Sequence, residues 1–113
     1  MDIASRFSEY KIMWIFVFFD LPTETPLQRK SATLFRKHLL DDGFTMLQYS
    51  VYIRHTSSRE NMEVHEKRIR SFLPEEGKVI ILHLTDKQFS DIHIYEGFKR
   101  QNSGPSVIQL ELF

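Results

Sequence analysis

The residues Met13-Trp14-Ile15-Phe16-Val17-Phe18-Phe19-Asp20 decide the fold, because seven consecutive apolar side chains end abruptly at a carboxylate. β-Branched and aromatic residues favour a strand, and a strand without polar alternation is typically covered on both faces. The run is far shorter than the ~20 residues that a membrane helix needs. The segment is therefore predicted to be the central strand of a sheet, with Asp20 at its end.

A first helix is predicted after the turn at residues 21–24. Thr25 with Gln28 is a capping-box pair, Pro26 suits the first helical position, and the helix should run to about Asp42 and stop at Gly43. Its apolar side, at helical spacing, consists of Leu27, Ser31, Leu34, Phe35, His38 and Leu39. Its opposite side is purely cationic and carries Arg29, Lys30, Arg36 and Lys37.

The remaining sequence predicts further strands and a second helix. Residues 44–47 and 50–55 read as two short strands around a tight turn, and residues 78–84 as a strand that is apolar on both faces. Ser57 with Glu60 is a second capping-box pair, and Pro74 ends the helix that it opens. The apolar face of that helix is Met62, His65, Ile69, Phe72 and Leu73. A helical turn is expected at 86–91, a short strand near 92–95 and a half-buried strand at 106–113.

This order of elements predicts an α+β fold, a ferredoxin-like β-α-β-β-α-β layer with an extra C-terminal strand. We divide the chain into an N-terminal extension (1–12), the ferredoxin-like domain (13–98) and a C-terminal tail with an edge strand (99–113). Two helices cover only one face of such a sheet, and the apolar second face would exceed what soluble monomers expose. A homodimer packed sheet to sheet is therefore expected, with the C-terminal strand available to extend the partner's sheet.

Composition excludes several classes of function. The 113 residues carry 15 Lys and Arg against 15 Asp and Glu, which rules out a histone-like polycation, although the basic residues gather between positions 25 and 70. The absence of cysteine excludes disulfides and thiolate chemistry. The first residues lack the apolar core of a signal peptide, so we expect a cytoplasmic protein. There is no glycine-rich phosphate loop, no zinc-ligand spacing and no Ser-His-Asp order, and the histidines and aromatic residues mostly suit a core or an interface.

Asp20 is the residue in this sequence best placed for chemistry. An aspartate before a turn often only bonds its own backbone, but a strand end beside a loop is also a common functional position. A two-fold axis near the first strand would bring two Asp20 side chains together. Two carboxylates with water suit Mg²⁺, with Mn²⁺ as a substitute. Such an ion would polarise a phosphodiester and activate the attacking water.

The cationic helix face is the second candidate site. Arg29, Lys30, Arg36 and Lys37 would contact phosphates without reading sequence, and Arg54 and Arg59 flank the next loop and could extend the surface. An ordinary solvated face is the alternative. On the second helix, local ion pairs are expected instead, between the basic residues Lys67, Arg68 and Arg70 and the acidic residues Glu63 and Glu66.

Three stretches together resemble the CRISPR-associated protein 2 family from Met13 to about Phe98. They are Phe18-Phe19-Asp20-Leu21-Pro22, the basic pairs of the first helix followed by Asp42-Gly43-Phe44, and Gln48-Tyr49-Ser50-Val51-Tyr52. The strand at 77–85 followed by Asp86-Lys87-Gln88-Phe89 most resembles members found beside type II systems.

The resemblance implies a homodimer that binds duplex DNA, the protospacer, and bridges two dimers of the CRISPR-associated protein 1 integrase. It also implies a metal-dependent nuclease for RNA or double-stranded DNA, with Asp20 at the metal. Two departures weaken the case for efficient cleavage. Phe19 stands where some members have tyrosine, and Tyr49 where some nuclease members have a basic residue.

Three functions follow as hypotheses. The first is a DNA-binding scaffold of spacer integration with Mg²⁺-dependent phosphodiesterase capacity. The second is a toxin-type metal-dependent endoribonuclease. The third is a small-molecule regulatory module, which predicts a ligand pocket at the dimer edge and no salt-sensitive binding of DNA.

Overall fold

The computed structural model describes residues 12–97, so the predicted N-terminal extension, up to residue 11, and the predicted C-terminal strand lie outside the described residues. Seven elements follow one another within these residues. They are β1 (Met13–Asp20), α1 (Pro26–Asp41), β2 (Thr45–Gln48), β3 (Val51–Thr56), α2 (Arg59–Ser71), β4 (Lys78–Thr85) and the short α3 (Asp86–Ser90). The strand predicted near residues 92–95 is wrong, because no strand forms after α3 in the described part of the chain.

The four strands form one sheet in the order β2-β3-β1-β4, and each neighbouring pair is antiparallel. The predicted α+β, ferredoxin-like layer with β1 as a central strand is therefore confirmed. Phe18 lies opposite Val51 of β3 on one side and Ile80 of β4 on the other, which fixes the register. Within residues 12–97, no helix is long and apolar enough to cross a membrane.

One face of β1 packs against the two long helices. Met13, Ile15, Val17 and Phe19 alternate onto this side and are all buried. Their partners in the same cluster are Phe35 and Leu39 of α1 and Met62 and Ile69 of α2. Burying such side chains contributes roughly 1.5–3 kcal/mol each, so this layer supplies much of the stability of the fold.

The opposite face of β1 is only partly covered. The indole ring of Trp14 stacks on Phe89 of α3 at 3.7 Å between ring centroids, and its Nε1 donates a hydrogen bond to Asp86 at 2.8 Å. Towards the other end of the strand, Ile80 and Leu82 of β4 remain 53% and 43% exposed. The expectation of a wholly uncovered second face is therefore wrong at the Trp14 end, because α3 folds back over it.

Helix α1 begins and ends where the sequence predicts. The side chain of Thr25 accepts from the backbone N–H of Gln28, whose own side chain accepts from the N–H of Thr25. Gly43 follows the helix with φ of +86°, a conformation that favours glycine.

The apolar side of α1 was predicted too broadly, and Ala32 was missed. The buried stripe is Ala32, Phe35 and Leu39, whereas Leu27 and Leu34 are 79% and 48% exposed. Because successive residues are rotated by about 100°, Leu34 lies at the margin of a stripe centred near Phe35.

Helix α2 starts one residue later than its predicted cap implies. The Ser58 hydroxyl, not that of Ser57, accepts from the N–H of Asn61, and the Asn61 side chain accepts from the N–H of Ser57. The helix ends at Ser71, so Leu73 lies beyond the helix and is 46% exposed rather than buried with its apolar face.

Candidate functional site

Asp20 ends β1 as predicted, and its side chain is exposed. Alternation along the strand places it on the same face as Trp14, Phe16 and Phe18, the face that the long helices leave open. The carboxylate therefore stands beside the apolar strip formed by Phe18, Ile80 and Leu82.

A glycine on the neighbouring strand entry fixes the backbone of Asp20. Gly77 precedes β4 with φ of +98°, and a Cβ there would lie 2.6 Å from the carbonyl oxygen of Asp20. Only glycine permits both this conformation and this close approach. The end of β1 is thus held by tight backbone packing against the start of β4.

One chain by itself does not assemble a metal centre around Asp20. Within residues 12–97, no three His, Asp or Glu side chains lie close enough together to hold a metal ion. Mg²⁺ needs only one or two carboxylates when water or phosphate supplies its other ligands. Asp20 therefore fits a Mg²⁺ site that water and phosphate complete, and a second Asp20 carboxylate from another copy of the chain would add a further ligand.

The six predicted phosphate-binding residues divide into two groups. Lys30, Lys37 and Arg59 are exposed and form no hydrogen bond or ion pair within the described part of the chain. Lys30 and Lys37 are two turns apart on α1, about 10 Å along the helix axis. These side chains are available to an external anion.

The other three predicted residues are engaged by the fold. The Arg29 guanidinium donates to the carbonyl oxygens of Thr23 and Glu24, each at 3.0 Å, and so fastens the turn before α1. Arg54 donates from Nη1 to the carbonyl oxygen of Asp42 at 2.7 Å. Its Nε is buried and has no partner among the described residues.

Arg36 is half-buried and lies against aromatic rings. Its guanidinium carbon lies 4.0 Å from the ring centroid of Tyr49 and 5.5 Å from that of Phe19. Burial raises the pKa of the nearby Tyr52 phenol above its ordinary value, although the positive charge of Arg36 acts in the opposite direction. The sequence gives no sign of this stacking, because it depends on the approach of α1 to the β2–β3 turn.

Asp42 is the centre of an ion-pair cluster that the sequence analysis missed. Its carboxylate accepts from His65 Nδ1 at 2.8 Å and from Arg68 Nη1 at 2.9 Å. Arg68 was predicted to pair within its own helix. There the pair that forms is Arg70 with Glu66, at 3.3 Å. The cluster joins the end of α1 to α2, and the expectation that His65 is a core histidine is confirmed.

The family to which this chain belongs follows from a comparison with protein-family models. Residues 13–92 match the model described as CRISPR associated protein Cas2. The chain belongs to the Cas2 family. The matched residues include β1, both long helices and α3, so the family assignment covers every element described above.

Three bacterial relatives of this Cas2 family member carry the name CRISPR-associated endoribonuclease Cas2. The protein of Flavobacterium psychrophilum is 54% identical over 109 residues, which are 96% of this chain and 95% of the relative. That of Parvibaculum lavamentivorans is also 54% identical, over 89% of this chain and the whole of the relative. That of Ligilactobacillus salivarius is 48% identical, over 77% and 86% of the two chains.

A solved structure supports the fold independently. A crystal structure of a Cas2 protein aligns with a TM-score of 0.53 at 22% identity and covers 76% of this chain and 88% of its own. At this identity, the match bears on the architecture of the Cas2 chain alone.

Proposed function

We propose that this Cas2 family member works as a homodimer that cleaves a phosphodiester bond of RNA at two paired Asp20 carboxylates. The observation that carries the proposal is the position of Asp20, exposed at the end of β1 on a face with an open apolar strip. The names of the relatives, which call them endoribonucleases, support the same reaction and substrate.

The apolar strip supports a dimer. Ile80 and Leu82 lie in register with Phe18 and Phe16 of β1 and are about half exposed. A second copy that packs on this strip by a two-fold axis would cover both strips at once. Because Asp20 extends the same alternation, such an axis near Phe18 brings two Asp20 side chains towards each other.

Each residue then has a defined part in the reaction. The two Asp20 carboxylates would hold Mg²⁺, or Mn²⁺, and the bound ion would polarise the phosphodiester and lower the pKa of the attacking water. Gly77 fixes the distance between the end of β1 and the start of β4, because its lack of a Cβ allows close contact with the Asp20 backbone. Lys30 and Lys37 bind phosphates of the nucleic acid and carry no sequence preference.

A second function, that of a DNA scaffold, is favoured by the exposed lysines of α1. Without partners among the described residues, Lys30 and Lys37 are free to neutralise phosphates of a duplex, and a dimer presents four such lysines. We propose that this surface binds duplex DNA while the protein bridges two dimers of an integrase of the CRISPR-associated protein 1 kind. Metal-dependent cleavage and this scaffold role can coexist on one dimer.

Cleavage is tested with Asp20→Asn and, as a matched control, Asp91→Asn, an exposed aspartate at the end of α3. Labelled single-stranded RNA and duplex DNA are incubated with each protein in Mg²⁺, in Mn²⁺ and in EDTA. We expect Asp20→Asn to lower the rate about 100-fold or more, with an unchanged melting temperature because the side chain is exposed. A wild-type protein that cleaves neither substrate with either metal would rule out the nuclease.

The scaffold is tested by the salt dependence of binding to duplex DNA. Because each lost phosphate contact lowers the slope of log K against log salt by about 0.9, the double variant Lys30→Ala/Lys37→Ala should lower it by roughly 1.8 for each protomer in contact. The exposed Lys87 of α3 offers the control substitution Lys87→Ala, which should leave the slope unchanged. A salt slope that is the same for the wild type and the Lys30→Ala/Lys37→Ala variant contradicts the scaffold. So does the failure of an integrase subunit to co-purify with the protein. Binding that is insensitive to salt would favour a small-molecule module instead.

A further inference from the structure

Tyr49 is an exposed aromatic residue that the functions above do not use. It occupies the two-residue turn between β2 and β3, and 68% of its surface is open to solvent. Arg36 lies over its ring at 4.0 Å from the centroid, and the Nε of the same arginine donates a long hydrogen bond of 3.5 Å to the Tyr49 carbonyl oxygen. The ring is thus held in place from one side while remaining largely exposed.

The turn itself does not require a tyrosine. Gly, Asn, Asp, Pro and Ser favour turns through their backbone conformation or by bonding the backbone, and the positive φ values within residues 12–97 fall only at Gly43 and Gly77. A tyrosine here offers neither advantage. Its ring is largely exposed to solvent and is held by a charged side chain on one side, which leaves the other side open to a ligand.

The position of the turn connects Tyr49 with the candidate cleavage site. The backbone N–H of Phe19 donates to the carbonyl oxygen of Ser50 at 3.0 Å, which continues the β1–β3 ladder beyond Phe18 and Val51. Adjacent antiparallel strands lie about 5 Å apart. Tyr49 therefore lies at the same end of the sheet as Asp20. Arg36 holds its ring from the helix-covered side, whereas Asp20 lies on the open face, so a strand that reaches both must pass around this end of the sheet.

We propose that the exposed face of Tyr49 stacks on one nucleobase of a single-stranded RNA whose backbone passes Asp20. The inference rests on the proposed ribonuclease function and names how its substrate is held. Arg36 fixes the plane of the ring, and stacking tolerates any base because every base has a π-face. Unpaired bases splayed onto aromatic rings are the usual way in which proteins bind single-stranded RNA.

Stacking by Tyr49 differs from what a basic residue at position 49 would do. A cation there would hold the phosphate backbone and act on duplexes and single strands alike. A stacked ring holds a base, and the bases of a duplex already stack on one another. Tyr49 should therefore favour single strands over duplexes.

The test measures binding to a short single-stranded RNA that contains the fluorescent base 2-aminopurine, with EDTA present to prevent cleavage. The full chain is compared with Tyr49→Leu, Tyr49→Phe and, as the matched control, Tyr95→Leu. Tyr95 is an exposed tyrosine after α3 whose hydroxyl lies 3.3 Å from His93 Nδ1. Affinity for a duplex of the same sequence and the salt slope of RNA binding are measured alongside.

We expect Tyr49→Leu to weaken RNA binding roughly 5- to 150-fold, the range that loss of one stacked base produces. It should also abolish the quenching of 2-aminopurine and leave both the salt slope and the duplex affinity unchanged. Tyr49→Phe keeps a ring and should behave like the wild type, as should Tyr95→Leu.

Other outcomes overturn the stacking inference, and they separate its failure from a failure of the proposed ribonuclease function. RNA affinity that survives Tyr49→Leu refutes stacking, even if cleavage persists in the wild type. If Tyr49→Leu weakens the binding of RNA and of the duplex equally, Tyr49 only holds the turn and Arg36 in place, and stacking is refuted. A protein that quenches 2-aminopurine through Tyr49 but cleaves no RNA with Mg²⁺ or Mn²⁺ refutes the proposed ribonuclease and supports the stacking site. Failure to bind single-stranded RNA at all refutes the stacking site directly.

Discussion

Gly77→Ala tests whether close backbone packing positions Asp20. An alanine with φ near +98° costs about 1–2 kcal/mol. The added Cβ also lies 2.6 Å from the Asp20 carbonyl oxygen and 3.0 Å from the Cα of Leu21. Since both are backbone atoms, relief requires the strand end to move, at a further ~1–3 kcal/mol. The expected loss of stability is about 2–5 kcal/mol.

Two other glycines in the chain make the measurement specific. A Cβ at Gly97 meets no atom within 4 Å, so Gly97→Ala should leave stability nearly unchanged. Gly43→Ala shares the positive φ, but its Cβ runs into the guanidinium of Arg54, a side chain that can move only by giving up its hydrogen bond to Asp42. It should destabilise the fold without moving Asp20.

Urea unfolding at one fixed protein concentration gives the free energies, because a dimer's stability depends on concentration. RNA cleavage by the folded proteins, at a temperature well below each transition, gives the second readout. We expect Gly77→Ala to lose both stability and cleavage, and Gly43→Ala to lose stability only. If Gly77→Ala unfolds at the same urea concentration as Gly97→Ala, the close contact described at Asp20 is wrong.

Two further predictions concern the open face and the buried tyrosine. Leu82→Glu places a charge on the apolar strip and should give a folded monomer at micromolar concentration by analytical ultracentrifugation. Leu27→Glu, at the far more exposed position on α1, should stay dimeric. A dimeric Leu82→Glu would contradict the sheet-to-sheet interface. Burial raises the pKa of Tyr52 above its ordinary value of 10.0, so its neutral form stabilises the fold below that pH and the stability is lost as pH rises through the higher folded-state pKa. Tyr52→Phe should therefore unfold less readily than the wild type in alkaline urea titrations while matching it near pH 7, and equal alkaline sensitivity would refute the assignment.

Local signals in the sequence were sufficient for the main elements of the fold. The Thr25–Gln28 capping box and Gly43 predict both ends of α1 because caps act through neighbouring backbone groups. The uninterrupted apolar run before Asp20 predicts a central strand, because only a strand covered on both faces dispenses with polar alternation.

Contacts between distant segments set what the sequence did not predict. The covering of Trp14 by Phe89 depends on how α3 folds back over the sheet. Likewise, Arg68 pairs with Asp42 and not with an acidic residue of its own helix, because α1 and α2 pack side by side. Helical periodicity offered six candidates for the buried side of α1. Of these, packing against the sheet buries Phe35 and Leu39, and it adds Ala32, which was not among the six.

The position of Asp20 could be predicted from the sequence, whereas the surroundings of the basic residues could not. Asp20 occupies the expected strand end because strand ends are set by the local sequence. The six basic residues read as one surface, yet Arg29, Arg36 and Arg54 are engaged by carbonyl oxygens and aromatic rings. Such engagement depends on three-dimensional neighbours that a linear charge pattern does not contain.

The stacking of Trp14 on Phe89 has a practical consequence for spectroscopy. The chain contains one tryptophan, and its indole touches α3 through both the ring and the hydrogen bond to Asp86. Intrinsic emission therefore reports whether α3 is docked, at the end of β1 farthest from Asp20. Fraying of α3 at mild denaturant would shift this emission before circular dichroism registers loss of the sheet, which separates a local opening from global unfolding in a single sample.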